Sequence, residues 1–62
     1  MDLVFLLLCG SDWEDMTVLL SEEDAIIQSK KYPNNRVEIF SKNKVGYTPT
    51  YNYYKNGIFV NS

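Results

Sequence analysis

Along this 62-residue chain the hydrophobic residues come in short blocks, each long enough for a single element. Leu3 to Cys9 is an unbroken apolar run with a β-branched and an aromatic member, closed by the turn-forming Gly10, Ser11 and Asp12. Met16 to Leu20 is a second, shorter run. Ser21 then opens a helix. Its hydroxyl is placed to accept from the Asp24 amide, with Asp24 reaching back in the manner of a capping box. Glu22, Glu23 and Asp24 occupy the first turn and Lys30 and Lys31 the last, each with the sign that the helix dipole favours. Pro33 stops the helix, so the pattern predicts Glu22 to Lys31, about three turns.

Arg36 to Phe40 alternates, with Val37 and Ile39 on one face and Glu38 and Phe40 on the other, as in a strand. Ser41 to Gly46 reads as a polar loop. The segment TYNYYKNGIFV predicts a hairpin around Asn56-Gly57, because a type I′ turn needs positive φ at both central residues. That register sets Lys55 against Ile58, Tyr54 against Phe59 and Tyr53 against Val60, with Tyr54 and Phe59 on the face opposite Tyr53 and Val60. Pro49 has no amide proton and belongs at a strand start or edge. The expected fold is a single α+β domain over residues 1–62. It is a small antiparallel sheet in the order β-β-α-β-β, with one helix packed on one face and the last hairpin adding a short fifth strand. A competing parse runs one helix from Asp12 to Lys31, since Ser11 and Glu14 repeat the capping-box spacing. The acidic break at 21–24 and the run Val18-Leu19-Leu20 oppose it.

The first run raises a packing question. Val4, Leu6 and Leu8 point one way along a strand, and Leu3, Phe5, Leu7 and Cys9 the other; both sets are apolar. A sheet covered on one face only should alternate with polar residues. One short helix covers one face, so the second face needs a second copy, a partner, or the tyrosine-rich hairpin folded back over it. A chain of this length buries only roughly 60% of the surface that its unfolded form exposes. One cysteine forms no internal disulfide, and the absence of histidine removes Cys/His zinc sites. Self-association, with a dimer favoured, is the expected remedy; the alternative is a closed monomer whose loops cover the second face.

Composition and charge refine this picture. High aromatic content argues for a folded chain. The net charge of −2 does not recommend a nucleic-acid binder, yet the charges are segregated. Every acid except Glu38 lies in residues 1–24, and all six bases lie between Lys30 and Lys55. Either the two halves lie side by side and neutralise each other, or the subunit is dipolar, with a basic face for an anionic partner.

The opening apolar run carries Asp2 where a signal peptide would carry Lys or Arg. It is seven residues long, and it puts the large Leu8 where a cleavage site wants a small residue. It is too short to span a bilayer. We read it as a buried strand, with no membrane partner and an intracellular, cytoplasmic setting that suits a lone cysteine.

Catalysis has little to work with: there is no Ser-His or Cys-His pair, and Cys9 within an apolar run should be buried and inert. Asp12, Glu14 and Asp15 around Trp13 match no cation-loop spacing. They read as a solvated acidic turn, with Trp13 at the core edge or an interface. The expected protein is therefore not an enzyme and has no catalytic, cofactor or metal residues.

Candidate interface residues are Leu3, Phe5, Leu7, Trp13, Tyr47, Tyr51, Tyr53, Tyr54 and Phe59. Lys42, Lys44 and Lys55 beside the tyrosines are the candidate anion contacts, should the C-terminal segment stack single-stranded nucleic acid. A third reading is an inhibitor or adaptor of a host protein. The segments DWEDM, SEEDAI, YPNNRVEIF and YTPTYNYYKNG give the chain a style that resembles short uncharacterised proteins of large DNA viruses of protists. That resemblance implies a setting in a virus-infected host cell and a binding role. It implies no activity and transfers no site residue.

Overall fold

The computed structural model describes residues 2–10 and 13–61. The strands are β1 (Leu3–Leu8), β2 (Met16–Leu19), β3 (Val37–Asn43), β4 (Gly46–Lys55) and β5 (Ile58–Val60). A 3-10 turn (Trp13–Asp15) precedes β2, and the helix α1 (Glu22–Lys31) separates β2 from β3. The protein is thus α+β, with one helix and a five-stranded sheet in the spatial order β2-β1-β3-β4-β5, every neighbouring pair antiparallel. The element order is β-β-α-β-β-β, which replaces the expected β-β-α-β-β. The added element is β5, the short fifth strand that the Asn56-Gly57 hairpin was expected to supply.

The helix begins and ends where its capping residues require. Ser21 is the N-cap, with extended backbone, and its side chain accepts from the Asp24 amide at 3.1 Å. The single long helix from residue 12 does not form. Thr17, Val18 and Leu19 instead pair with Leu7, Leu6 and Phe5 in a β ladder. At the far end Asn56 (φ 50) and Gly57 (φ 78) form the turn that the Asn-Gly pair demands, and the three cross-strand pairs of the hairpin follow in the expected register.

The expected loop at 41–46 is a hairpin instead. Lys42 pairs with Tyr47 and Asn43 with Gly46, leaving Lys44 and Val45 as the turn. Asn43 holds it: its Oδ1 accepts from the Val45 amide at 3.0 Å, and its Nδ2 donates to Thr48 Oγ1 at 2.9 Å. Polar composition misled because these strand ends lie beyond the core, where side chains meet water on either face.

The core lies between α1 and one face of the sheet. Phe5, Leu7, Val37, Ile39, Tyr54 and Ala25 are buried together, with Leu19 and Ile26 packed against them. Small residues at Ala25 and Ser29, one turn apart, let the helix sit close. Ser29 is fully buried and its hydroxyl is satisfied twice: it donates to the Ile26 carbonyl and accepts from the Gly57 amide, both at 2.8 Å. A helix side chain therefore fastens the β4–β5 turn. The Lys30 stem lies over that turn, so that a Cβ on Gly57 would fall 2.5 Å from its Cε.

The register between β3 and β4 slips at one place. Glu38 faces Tyr53 and Phe40 faces Pro49, so β4 runs four residues past two of β3. Tyr51 carries the excess, at φ 68 in the left-handed region. Thr50 Oγ1 stabilises the bulge by donating to the Ile39 carbonyl at 2.8 Å and accepting from the Asn52 amide at 3.2 Å.

Candidate interaction surfaces

Because paired residues share a face, the register maps the side of the sheet opposite α1. One row crosses all five strands: Val18, Leu6, Glu38, Tyr53 and Val60. Val4, Phe40 and Pro49 form the next row, and Leu8 with Met16 flanks the first. Among the described residues no helix covers this face. Val4, Leu6, Leu8 and Phe40 are half-buried by their neighbours alone, and Val18 is 55% exposed. The centre over β2, β1 and β3 is apolar. The rim toward β4 carries cations beside rings: the Arg36 guanidinium stands 4.5 Å from the centre of Tyr53 and 3.4 Å from the Glu38 carboxylate, and Lys42 pairs with Tyr47.

The residues singled out in the sequence divide between the two faces. Phe5, Leu7 and Tyr54 are core residues beneath α1, so the open face is built by the other half of β1, Val4, Leu6 and Leu8. Leu3 is at the exposed margin of the helix-covered side. Phe59 packs edge-on against Tyr54, with ring centres 5.6 Å apart, and keeps half of its surface exposed. Tyr51 stands out on the bulge, 70% exposed. Trp13 is 76% exposed in the acidic 3-10 turn, which removes the core-edge placement and leaves the interface one.

Cys9 is exposed as well, contrary to the buried, inert thiol expected. The β1–β2 ladder ends at Leu8 and Met16, leaving Cys9 past the end of the strand. The three lysines do not converge. Lys44 lies in the turn before β4 and Lys55 at its far end, about 30 Å apart at strand rise, with Lys42 near the first.

The alternation of Val37 and Ile39 with Glu38 and Phe40 was the signal for the open face. Glu38 marks the side away from the core, and pairing carries that assignment to Leu6.

The pKa of the Tyr54 phenol is clearly displaced. Burial raises it above the usual value of 10, and the nearby Glu22 carboxylate adds to this by its charge and by hydrogen bonding to the hydroxyl. It is held neutral, as suits a core residue. The described residues enclose no cavity and include no group of three or more acidic or cysteine side chains that could hold a metal ion. No helix among them is long and apolar enough to cross a membrane. The candidate sites are therefore surfaces. Comparison with protein-family models, with curated proteins and with solved structures finds no match to this chain.

Proposed function

We propose that this protein is a small non-catalytic interaction module that associates with itself through the open face of its sheet. One observation carries the reading: β1 is apolar on both faces, and α1 covers only one of them. Full burial of a Leu, Val or Phe side chain is worth roughly 1.5–3 kcal/mol, and the half-exposed Val4, Leu6, Leu8 and Phe40 have realised only part of it. A standard interface takes roughly 800 Å² from each partner. That matches the footprint of one broad face of a body measuring 32 × 24 × 20 Å. A second copy supplies an identical apolar centre, and Arg36 already neutralises Glu38 within the face, so stacking strands no charge there. An intracellular setting in an infected host belongs to the same proposal, supported by the resemblance and by the unpaired thiol.

The test is solution mass by sedimentation equilibrium over a wide concentration range. A dimer is expected, and Leu6→Lys with Val18→Lys should turn it into a folded monomer. A monomer at the highest concentrations reached would overturn the reading.

The competing nucleic-acid reading draws on Arg36 over Tyr53 and on Lys42 beside Tyr47. It requires affinity for an oligonucleotide that falls steeply with salt. The separation of Lys55 from Lys42 and Lys44 leaves no continuous basic track for it.

A further inference from the structure

The two edges of the sheet are guarded very differently. On the far side, β5 is three residues long and pairs only with Tyr53, Tyr54 and Lys55 of β4. The remainder of β4 has no strand on its outer side, but it carries Pro49 and the left-handed bulge at Tyr51. Proline, bulges and very short strands are the devices by which proteins keep foreign strands from adding to an edge. The opposite edge is β2, with the sequence Met-Thr-Val-Leu and then Leu20. It is short too, but it contains no proline, glycine or charge, and its register against β1 is unbroken. Met16, Thr17 and Val18 are exposed, and Leu20 is 60% exposed.

Charge identifies the occupant. Glu14 and Asp15 stand at the start of β2 and Glu22, Glu23 and Asp24 just beyond its end, and no base occurs before Lys30. If two copies joined through β2 as antiparallel strands, the start of each would meet the end of the other. The acids of the 3-10 turn would then face the acidic first turn of α1, which disfavours a second copy at this edge. The guarded β4 is no better a match for it.

The geometry points to an extended segment of a partner protein, adding to β2 as a sixth strand, with alternating apolar residues at its centre and Lys or Arg at both ends. Main-chain hydrogen bonds would supply the affinity and the flanking charges the selectivity. This site is the main-chain edge of β2, whose Met16 and Val18 side chains also belong to the open face, and it does not rest on self-association.

The experiment uses the full chain and a labelled nine-residue peptide: five alternating valines and threonines with two lysines at each end. A second peptide has glutamates in place of the lysines. Fluorescence anisotropy should show saturable binding of the lysine peptide, weakened by salt, and at least tenfold weaker binding of the glutamate peptide. Amide exchange should slow at β2 on binding. Glu14→Lys and Glu23→Lys together should weaken binding at least tenfold.

Alternate amides of an edge strand point away from the sheet. Proline is therefore placed in parallel at Thr17 and at Val18, and the variant that keeps its circular dichroism spectrum should lose the peptide; solution mass is compared only for Thr17→Pro, where it should be unchanged, because the Val18 side chain belongs to the open face. No binding of the lysine peptide, equal binding of both peptides, or protection mapped to the open face instead of β2 would each sink the proposal. If both prolines unfold the chain, the paired lysine variant and the exchange map decide the matter.

Discussion

The two faces of this sheet come from the same strands and begin with similar apolar content, yet they end differently. On one, Phe5, Leu7, Val37, Ile39 and Tyr54 are sealed beneath Ala25 and Ser29 of α1. On the other, Leu6 lies between Val18 and Glu38 and, among the described residues, no helix lies over it. Neighbouring strands alone bring an apolar side chain only part of the way out of water. The remainder must come from a second layer, which α1 provides for one face and which we assign to a second copy for the other.

The contrast is tested most strongly by truncating adjacent residues of β1. Phe5→Ala should cost about 3–5 kcal/mol, the range for emptying an aromatic site in a core, and leave little folded protein. Leu6→Ala should cost far less in dilute solution, and should instead remove most of the rise in melting temperature with protein concentration that a dimer displays. Urea titration of both variants at two concentrations gives the answer. Equal losses for the two would mean that the open face is already packed within one chain.

A smaller effect is expected at the clamp between α1 and the β4–β5 turn. Ser29→Ala removes the acceptor of the Gly57 amide and should cost about 1–2 kcal/mol, read as a drop in thermal midpoint with solution mass unchanged. At the bulge, Tyr51→Gly exchanges the strain of a left-handed tyrosine for the greater backbone entropy of glycine. The net should be a stabilisation of about 0.5–1 kcal/mol in the same urea titration.

The finest distinction is by pH. Tyr54 is held protonated in the fold, so its contribution is complete below its unfolded value of about 10 and is lost as pH rises through the raised folded value. Stability measured from pH 8 to 12 should therefore fall at the alkaline end. Tyr54→Phe should flatten that fall and Glu22→Gln should reduce it in part, because burial is the larger cause.

Much of the fold was legible because its signals are local. The N-cap at Ser21, the lysines at the end of α1 and the Asn56-Gly57 turn each concern atoms within a few residues of one another, and each appears where the sequence places it. The β3–β4 hairpin was not legible. Its turn depends on Asn43 bonding to Val45 and Thr48, and its strands on a partner that composition does not reveal. The bulge at Tyr51 was hidden for a similar reason: the Thr50 bond to Ile39 that helps to hold it spans eleven residues of chain.

The sequence by itself determined that β1 has two apolar faces, that α1 is one short helix able to cover one of them, and which residues share a face. Periodicity and capping are enough for that, since they operate along a single segment. Only the tertiary structure decided that Phe5 and Leu7 lie beneath the helix while Leu6 and Val18 stay open, and that Cys9 and Trp13 face water. A period of two assigns residues to faces but cannot say which face meets the helix. That choice depends on how β2 and β3 align against β1, and on the close seat that Ala25 and Ser29 give α1 over Val37 and Tyr54.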